Sequence, residues 1–152
     1  MIKKFTKISN IKNIKKGKNF KIILPCNIYE CTFGDDCFVG PFVEIQKNTK
    51  IGSNSRIQSH TFVCEGVNIG NNVFVGHGVM FINDIFKNGK RASQSNKNLL
   101  KTIIGNNVNI GSNSTIFPVY ICNDVTIGAG SVVTKSITKP GIYFGNPATK
   151  KK

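Results

Sequence analysis

Acidic residues are scarce: the 152-residue chain holds seven Asp and Glu, two His, and only Arg56 and Arg91 as arginines. No apolar run approaches the ~18 residues of a membrane span, and Met1 is followed closely by Lys3, Lys4 and Lys7 instead of the apolar stretch of a signal peptide. The expectation is a cytoplasmic protein with no membrane partner. Five Cys are present but no C-x-x-C pair, which fits reduced thiols better than a disulfide or zinc framework, so no metal is expected. Gly76-x-Gly78 and Gly128-x-Gly130 lack a further Gly three residues on, which excludes a dinucleotide fingerprint, and no Gly-x4-Gly-Lys-Ser/Thr phosphate loop exists. Of the 21 basic residues 19 are Lys, whereas readers of nucleic-acid grooves lean on Arg forks. Seven of those Lys fall within residues 1–18, and Lys150, Lys151 and Lys152 close the chain. The net charge of +14 therefore reads as a compositional preference for Lys and an affinity for anionic ligands; no nucleic-acid partner is expected. With 39% hydrophobic and 18% charged residues, the chain is expected to fold as one domain over 1–152.

What is present is a repeat. Stepping by six from Phe33 gives Val39, Ile45, Ile51, Ile57, Val63, Ile69, Val75 and Phe81, all aliphatic or aromatic, with Gly following at Gly34, Gly40, Gly52, Gly70 and Gly76. The pattern resumes at Ile104, Ile110 and Ile116, makes one five-residue step to Ile121, and continues through Ile127 and Val133. Upstream, Ile22 and Ile28 keep the same spacing and reach Phe33 by another five-residue step. A period of six matches neither a helix nor a simple alternating strand. It matches a triangular prism in which each hexad is a short strand plus a turn, three hexads make one coil, and coils stack at the ~4.8 Å strand spacing. The repeated aliphatic points inward, the Gly serves a turn or a close approach, and Asn pairs such as Asn71-Asn72 and Asn106-Asn107 suit left-handed corners. Spacing alone does not give the hand of the solenoid.

Hexads such as Lys50-Ile-Gly-Ser-Asn-Ser, Asn68-Ile-Gly-Asn-Asn-Val and Thr126-Ile-Gly-Ala-Gly-Ser resemble those of the left-handed β-helix acyltransferases, as does the ending Gly128-Ala-Gly-Ser-Val-Val-Thr-Lys135 with Gly145-Asn-Pro-Ala148. The resemblance covers about residues 20–150. It implies an all-β, left-handed parallel β-helix, a homotrimer and an acyl-coenzyme A donor. Within that superfamily, Gly76-His-Gly-Val-Met-Phe-Ile-Asn-Asp84, Phe42-Val-Glu-Ile-Gln46 and Ser59-His-Thr-Phe-Val-Cys-Glu65 resemble enzymes that N-acetylate nucleotide-linked 3-amino sugars. The 3-N-acetyltransferases of dTDP-linked 3-amino-3,6-dideoxyhexoses are the nearest in pattern. UDP-linked amino-sugar enzymes, acting on a 3-amino-uronate or a 4-amino sugar, come next. Where the uronate group tends to carry Arg and a Pro-Arg pair after Asn-Asp, this chain has Ile85-Phe86-Lys87, which weakens a carboxylate-bearing sugar. The resemblance thus implies acetyl-coenzyme A as co-substrate, a nucleotide-linked amino sugar as acceptor, and a place in surface glycan biosynthesis, of the lipopolysaccharide or S-layer kind.

Between Phe81 and Ile104 the repeat fails, and the polar stretch with Lys87, Lys90, Arg91 and Lys97 is expected to leave the solenoid as an extruded loop at about 83–101. Insertions in solenoids leave from one corner and often build the binding face. Positions 18 apart stack on neighbouring coils, so Asn83 lies over Glu65, His77 over Ser59, and His60 under Gly78. Two of the seven acids, Glu65 and Asp84, thereby meet at the loop mouth.

A neutral amine attacking a thioester needs little: a stabilised oxyanion and a route for the proton. Asp84 is the candidate to orient the amine or take its proton, with Asn83 bonding a sugar hydroxyl or the amine. The departing thiolate can also accept the proton. Glu65 is expected to hold Asn83 in place at the substrate, with His60 and His77 as substrate contacts rather than bases. Gly111, Ala129 and Lys135 are the candidates for coenzyme A, the small residues admitting the pantetheine and the Lys meeting a phosphate; turn and packing geometry explains Gly111 and Ala129 equally well. A thin solenoid leaves flat faces that cannot all be solvated, which also favours a trimer. A non-catalytic β-helix scaffold is the alternative of another class, but it would not need the interruption.

Overall fold

The computed structural model describes residues 9–91 and 100–151 as a left-handed parallel β-helix. Short strands, mostly of two residues, pair in parallel into three sheets of seven, five and eight strands among the described residues. The register is that of a three-hexad coil: Glu44 pairs with Phe62 and Lys50 with Asn68. After the five-residue step the spacing tightens by one, so Ile103 pairs with Tyr120 and Thr115 with Val132. Across the insertion Asn68 pairs with Ile103 and Met80 with Thr115, so the solenoid resumes in register as though the loop were absent.

Every aliphatic or aromatic of the hexad series from Ile28 to Val133 is buried, including Ile45, Ile57, Val75 and Phe81 at 0% exposure. Burial of these branched side chains in the narrow shaft supplies the cohesion of the fold, at about 1.5–3 kcal/mol for each fully buried side chain. A second inner column stands two residues before the first and had no counterpart in the sequence reading, which allowed one side chain per face. It holds Cys26, Cys31, Cys37, Val43, Thr49, Ser55, Thr61, Val67, Val73 and Val79, all buried. Its polar members are satisfied by the next coil: Ser55 Oγ donates to the Gly70 carbonyl at 3.0 Å and Thr61 Oγ1 to that of Gly76 at 2.9 Å. Small side chains of mixed polarity fit there because the corner backbone offers both space and an acceptor.

The glycines after each hexad aliphatic serve close approach, not a positive φ. A Cβ on Gly76 would stand 2.7 Å from the amide nitrogen of Ser112 on the coil above. The left-handed corners are filled mainly by Asn and Asp, among them Asn48, Asn54, Asn72, Asn107 and Asp124; Glu30, Phe42, His60 and Phe86 are the exceptions. The eight-stranded sheet ends in the antiparallel pair Gly141–Phe144 and Thr149–Lys150, which folds back over the last coil and covers an open sheet edge. The insertion leaves after Met80–Phe81 and returns at Ile103–Ile104; its described part contains one 3-10 turn, Lys87–Gly89. Lys97 lies outside the described residues, as do Lys3, Lys4, Lys7 and Lys152.

Candidate functional site

Each strand of the seven-stranded sheet is followed by a corner leading to the five-stranded sheet, and the insertion leaves from that corner. Glu65 follows Phe62–Val63 there, and Asn83 with Asp84 follows Met80–Phe81. The predicted stacking of Asn83 over Glu65 is realised through the main chain: Asn83 Nδ2 donates to the Glu65 carbonyl at 3.4 Å. The Glu65 carboxylate has other partners. It accepts from Asn48 Nδ2 at 2.9 Å and faces Lys47 Nζ at 3.8 Å. The Glu65 amide donates to Gln46 Oε1 at 3.2 Å, and Gln46 Nε2 donates to Glu44 Oε1 at 3.0 Å. Glu65 is thus fixed by three residues of the coil below, none of which the sequence reading had placed at the site. The same 18-residue step taken downward from Glu65 reaches Lys47 and was the signal available.

Asp84 is half-buried at the loop mouth, and its Oδ1 accepts the Phe86 amide at 2.9 Å where Phe86 turns left-handed at φ 50°. The carboxylate therefore caps the first turn of the loop as well as facing its mouth. Burial first, then the charges of Glu44, Glu65 and Glu30, push the Tyr29 phenol upward. A carboxylate beside an amine can accept a hydrogen bond from it and draw off its proton.

The other candidates lie elsewhere. His60 and His77 sit exposed on the opposite edge of the seven-stranded sheet, at the corner it shares with the eight-stranded sheet. His60 stacks on Phe42, with ring centroids 4.9 Å apart and planes inclined at 28°. The His77 amide donates to Ser112 Oγ at 3.2 Å. Gly111 and Ala129 stack at that same corner, so closely that a Cβ on Gly111 would collide with the Ala129 backbone. Lys135 follows Val132–Val133 and is exposed on the corner of Glu65 and Asn83, not beside Ala129. Among the described residues, no group of three or more His, Cys, Asp and Glu gathers to hold a metal ion, and no helix is long and apolar enough to cross a membrane.

The cysteines serve packing. Cys26, Cys31, Cys37 and Cys64 are buried and all five are free. Burial pushes the Cys31 thiol up to about 11 and Cys64 up to about 12, from 9.0. Above pH 9 the unfolded chain releases these protons and the folded chain keeps them, so folding stability is full below pH 9 and declines as pH rises toward 12. Denaturant midpoints measured at pH 8 and pH 10.5 should show this fall, and Cys64→Ala should reduce it.

The repeat and its coils are matched by known families. The bacterial transferase hexapeptide (six repeats) model covers residues 30–65, and the hexapeptide repeat of succinyl-transferase covers residues 101–135. The chain carries the hexapeptide repeat of these transferases over both stretches. Among solved hexapeptide-repeat structures, AntD, an N-acyltransferase from Bacillus cereus in complex with dTDP and coenzyme A, superimposes with a TM-score of 0.79 at 27% identity, over 91% of this chain and 83% of that one. A galactoside acetyltransferase in complex with coenzyme A superimposes with a TM-score of 0.68 at 31% identity, over 79% of this chain and 63% of that one. The bifunctional protein GlmU of Ruthia magnifica subsp. Calyptogena magnifica is 36% identical over 83% of this chain and 29% of its own length. The chain spans about a third of the length of the curated hexapeptide-repeat relatives it matches.

Proposed function

We propose that the chain transfers the acetyl group of acetyl-coenzyme A to the 3-amino group of a nucleotide-linked, dTDP-type 3-amino-3,6-dideoxyhexose, working as a trimer in the making of surface glycans. The observation that carries this reading is the placement of Asp84 and Asn83 at the loop mouth, one coil above Glu65. The similarity to an N-acyltransferase bound to dTDP and coenzyme A supports the same donor and acceptor classes. Asp84 orients the attacking amine and draws its proton as the C–N bond forms. Asn83, held by the Glu65 carbonyl, keeps its side-chain oxygen for a sugar hydroxyl. The tetrahedral intermediate then expels the thiolate of coenzyme A, and that thiolate is the second proton acceptor in the site.

Coenzyme A is assigned to the C-terminal coils, with its pantetheine over Gly111 and Ala129 and a phosphate within reach of Lys135 across the seven-stranded sheet. Ala129 is exposed, so a large side chain there obstructs ligand without entering the core. Ala129→Trp is expected to weaken coenzyme A binding about tenfold or more, a loss of at least ~1.4 kcal/mol, with an unchanged melting temperature. Calorimetric titration checks it, and equal affinity removes Ala129 from the coenzyme site. The function itself is tested by following coenzyme A release with a thiol reagent on mixing acetyl-coenzyme A with a dTDP-linked 3-amino sugar. Four of the five protein thiols are buried, so the background is small. Release that requires the amino sugar supports the transfer. Absence of release with dTDP- and UDP-linked amino sugars alike favours the scaffold.

A further inference from the structure

Two corners of the solenoid depart from its own rules at the same place. Left-handed corners are occupied mainly by Asn, Asp or Gly, which adopt that conformation cheaply, yet Phe42 at φ 59° and His60 at φ 63° occupy it one above the other. A side chain with a Cβ and a bulky ring is strained there by roughly 1–2 kcal/mol. Neither ring repays the strain by burial: Phe42 is 57% exposed and His60 is exposed. What the two rings do is stack, at 4.9 Å and 28°. Above His60 the column continues with Gly78, which places no ring on the stack; its amide donates to the Ser59 carbonyl at 2.9 Å, and Asn113 Oδ1 reaches down to it from the next coil. Beside Phe42 opens a groove of about 430 Å³ lined by Asn10, Pro25, Asn27 and Glu44 among others. Strained, exposed, stacked aromatic side chains beside an open groove make a platform for a further planar ring.

We infer that Phe42 and His60 form a stacking platform for a nucleobase. The choice of which nucleobase rests on the nucleotide-sugar reading above, and the position agrees with it. The platform and the Asp84 corner are the two edges of one sheet, five residues apart along the coil from His60 to Glu65, or about 16 Å at ~3.3 Å per residue. A nucleoside diphosphate hexose carries its base and its sugar amine at opposite ends of a ribose, two phosphates and a pyranose ring, a chain of that order of length. The adenine of coenzyme A is the other source of the same planar chemistry.

The test uses Phe42→Asn and His60→Asn, since Asn keeps the left-handed corner while removing the ring. Both variants should melt at a higher temperature than the parent, because the strain goes. Both should bind nucleotide about tenfold or more weakly, in line with the ~1–3 kcal/mol that one stacked base contributes. Titrations with dTDP, UDP and coenzyme A separate the sources: weakening confined to dTDP and UDP assigns the platform to the acceptor base, and weakening confined to coenzyme A assigns it to adenine. Affinities equal to the parent's for all three overturn the inference, and so does a parent that binds none of them. If the titrations respond but no amino sugar is acylated, the platform stands and the proposed acceptor falls; if acylation proceeds and the variants bind normally, the reverse holds.

Discussion

Asp84→Asn is expected to lower kcat by about 10²–10⁴-fold, the range typical of general acid–base catalysis. The substitution is informative because Asn retains an oxygen that can accept the Phe86 amide, the bond Asp84 Oδ1 makes at 2.9 Å. The cap on the first turn of the loop is therefore preserved while the charge and the proton acceptor are lost. Three outcomes separate. A fall in kcat at an unchanged melting temperature places the carboxylate in the chemistry. A rise in KM with kcat unchanged means that Asp84 positions the sugar and the thiolate takes the proton. Parental kinetics at an unchanged melting temperature reduce Asp84 to a loop cap, and Asp84→Ala, which removes the cap, should then cost about 1 kcal/mol of stability.

Phe81→Ala is expected to destabilise the fold by about 3–5 kcal/mol, the usual cost of emptying a buried aromatic site. Phe81 is fully buried and is the last residue of the strand from which the insertion leaves. Its neighbours above and below in the inner column are Ile116 and Val63, both at most 1% exposed and held by parallel pairing, so the shaft cannot close around the cavity. Denaturant unfolding monitored by circular dichroism measures the loss. Asn83 and Asp84 follow Phe81 directly, so activity should fall further than the folded fraction alone would dictate. A cost below ~1 kcal/mol would mean that the inner column tolerates voids and that stability resides in the hydrogen-bonded coils instead.

The inner hexad column was legible because a single residue class recurs at an unbroken spacing, and nothing but a stacked coil buries such a series. The second column was not, because Cys37, Val43, Thr49 and Ser55 share size but not polarity, and what satisfies Cys37, Thr49 and Ser55 is a carbonyl on the next coil that only the structure supplies. Counting by 18 placed Asn83 over Glu65 and Gly78 over His60 correctly. It did not show that a main-chain carbonyl, not the carboxylate, meets Asn83. Lys135 was grouped with Ala129, yet the six-residue step from one to the other is one hexad and therefore moves one corner round the coil. The aromatic pair at Phe42 and His60 lies 18 residues apart and was within reach of the same count, but the left-handed backbone at Phe42 that sets its ring on the stack has no sequence signature.

The central claim is that this solenoid acetylates the amine of a sugar nucleotide. Mass analysis of a dTDP-linked 3-amino-3,6-dideoxyhexose after incubation with acetyl-coenzyme A and the full chain tests it most directly. The account predicts that the sugar nucleotide gains one acetyl group on nitrogen, with one coenzyme A released for each, and that the matching sugar with a hydroxyl in place of the amine is not modified. An unmodified amino sugar beside intact acetyl-coenzyme A, or acetylation of the hydroxyl sugar in its place, would contradict it.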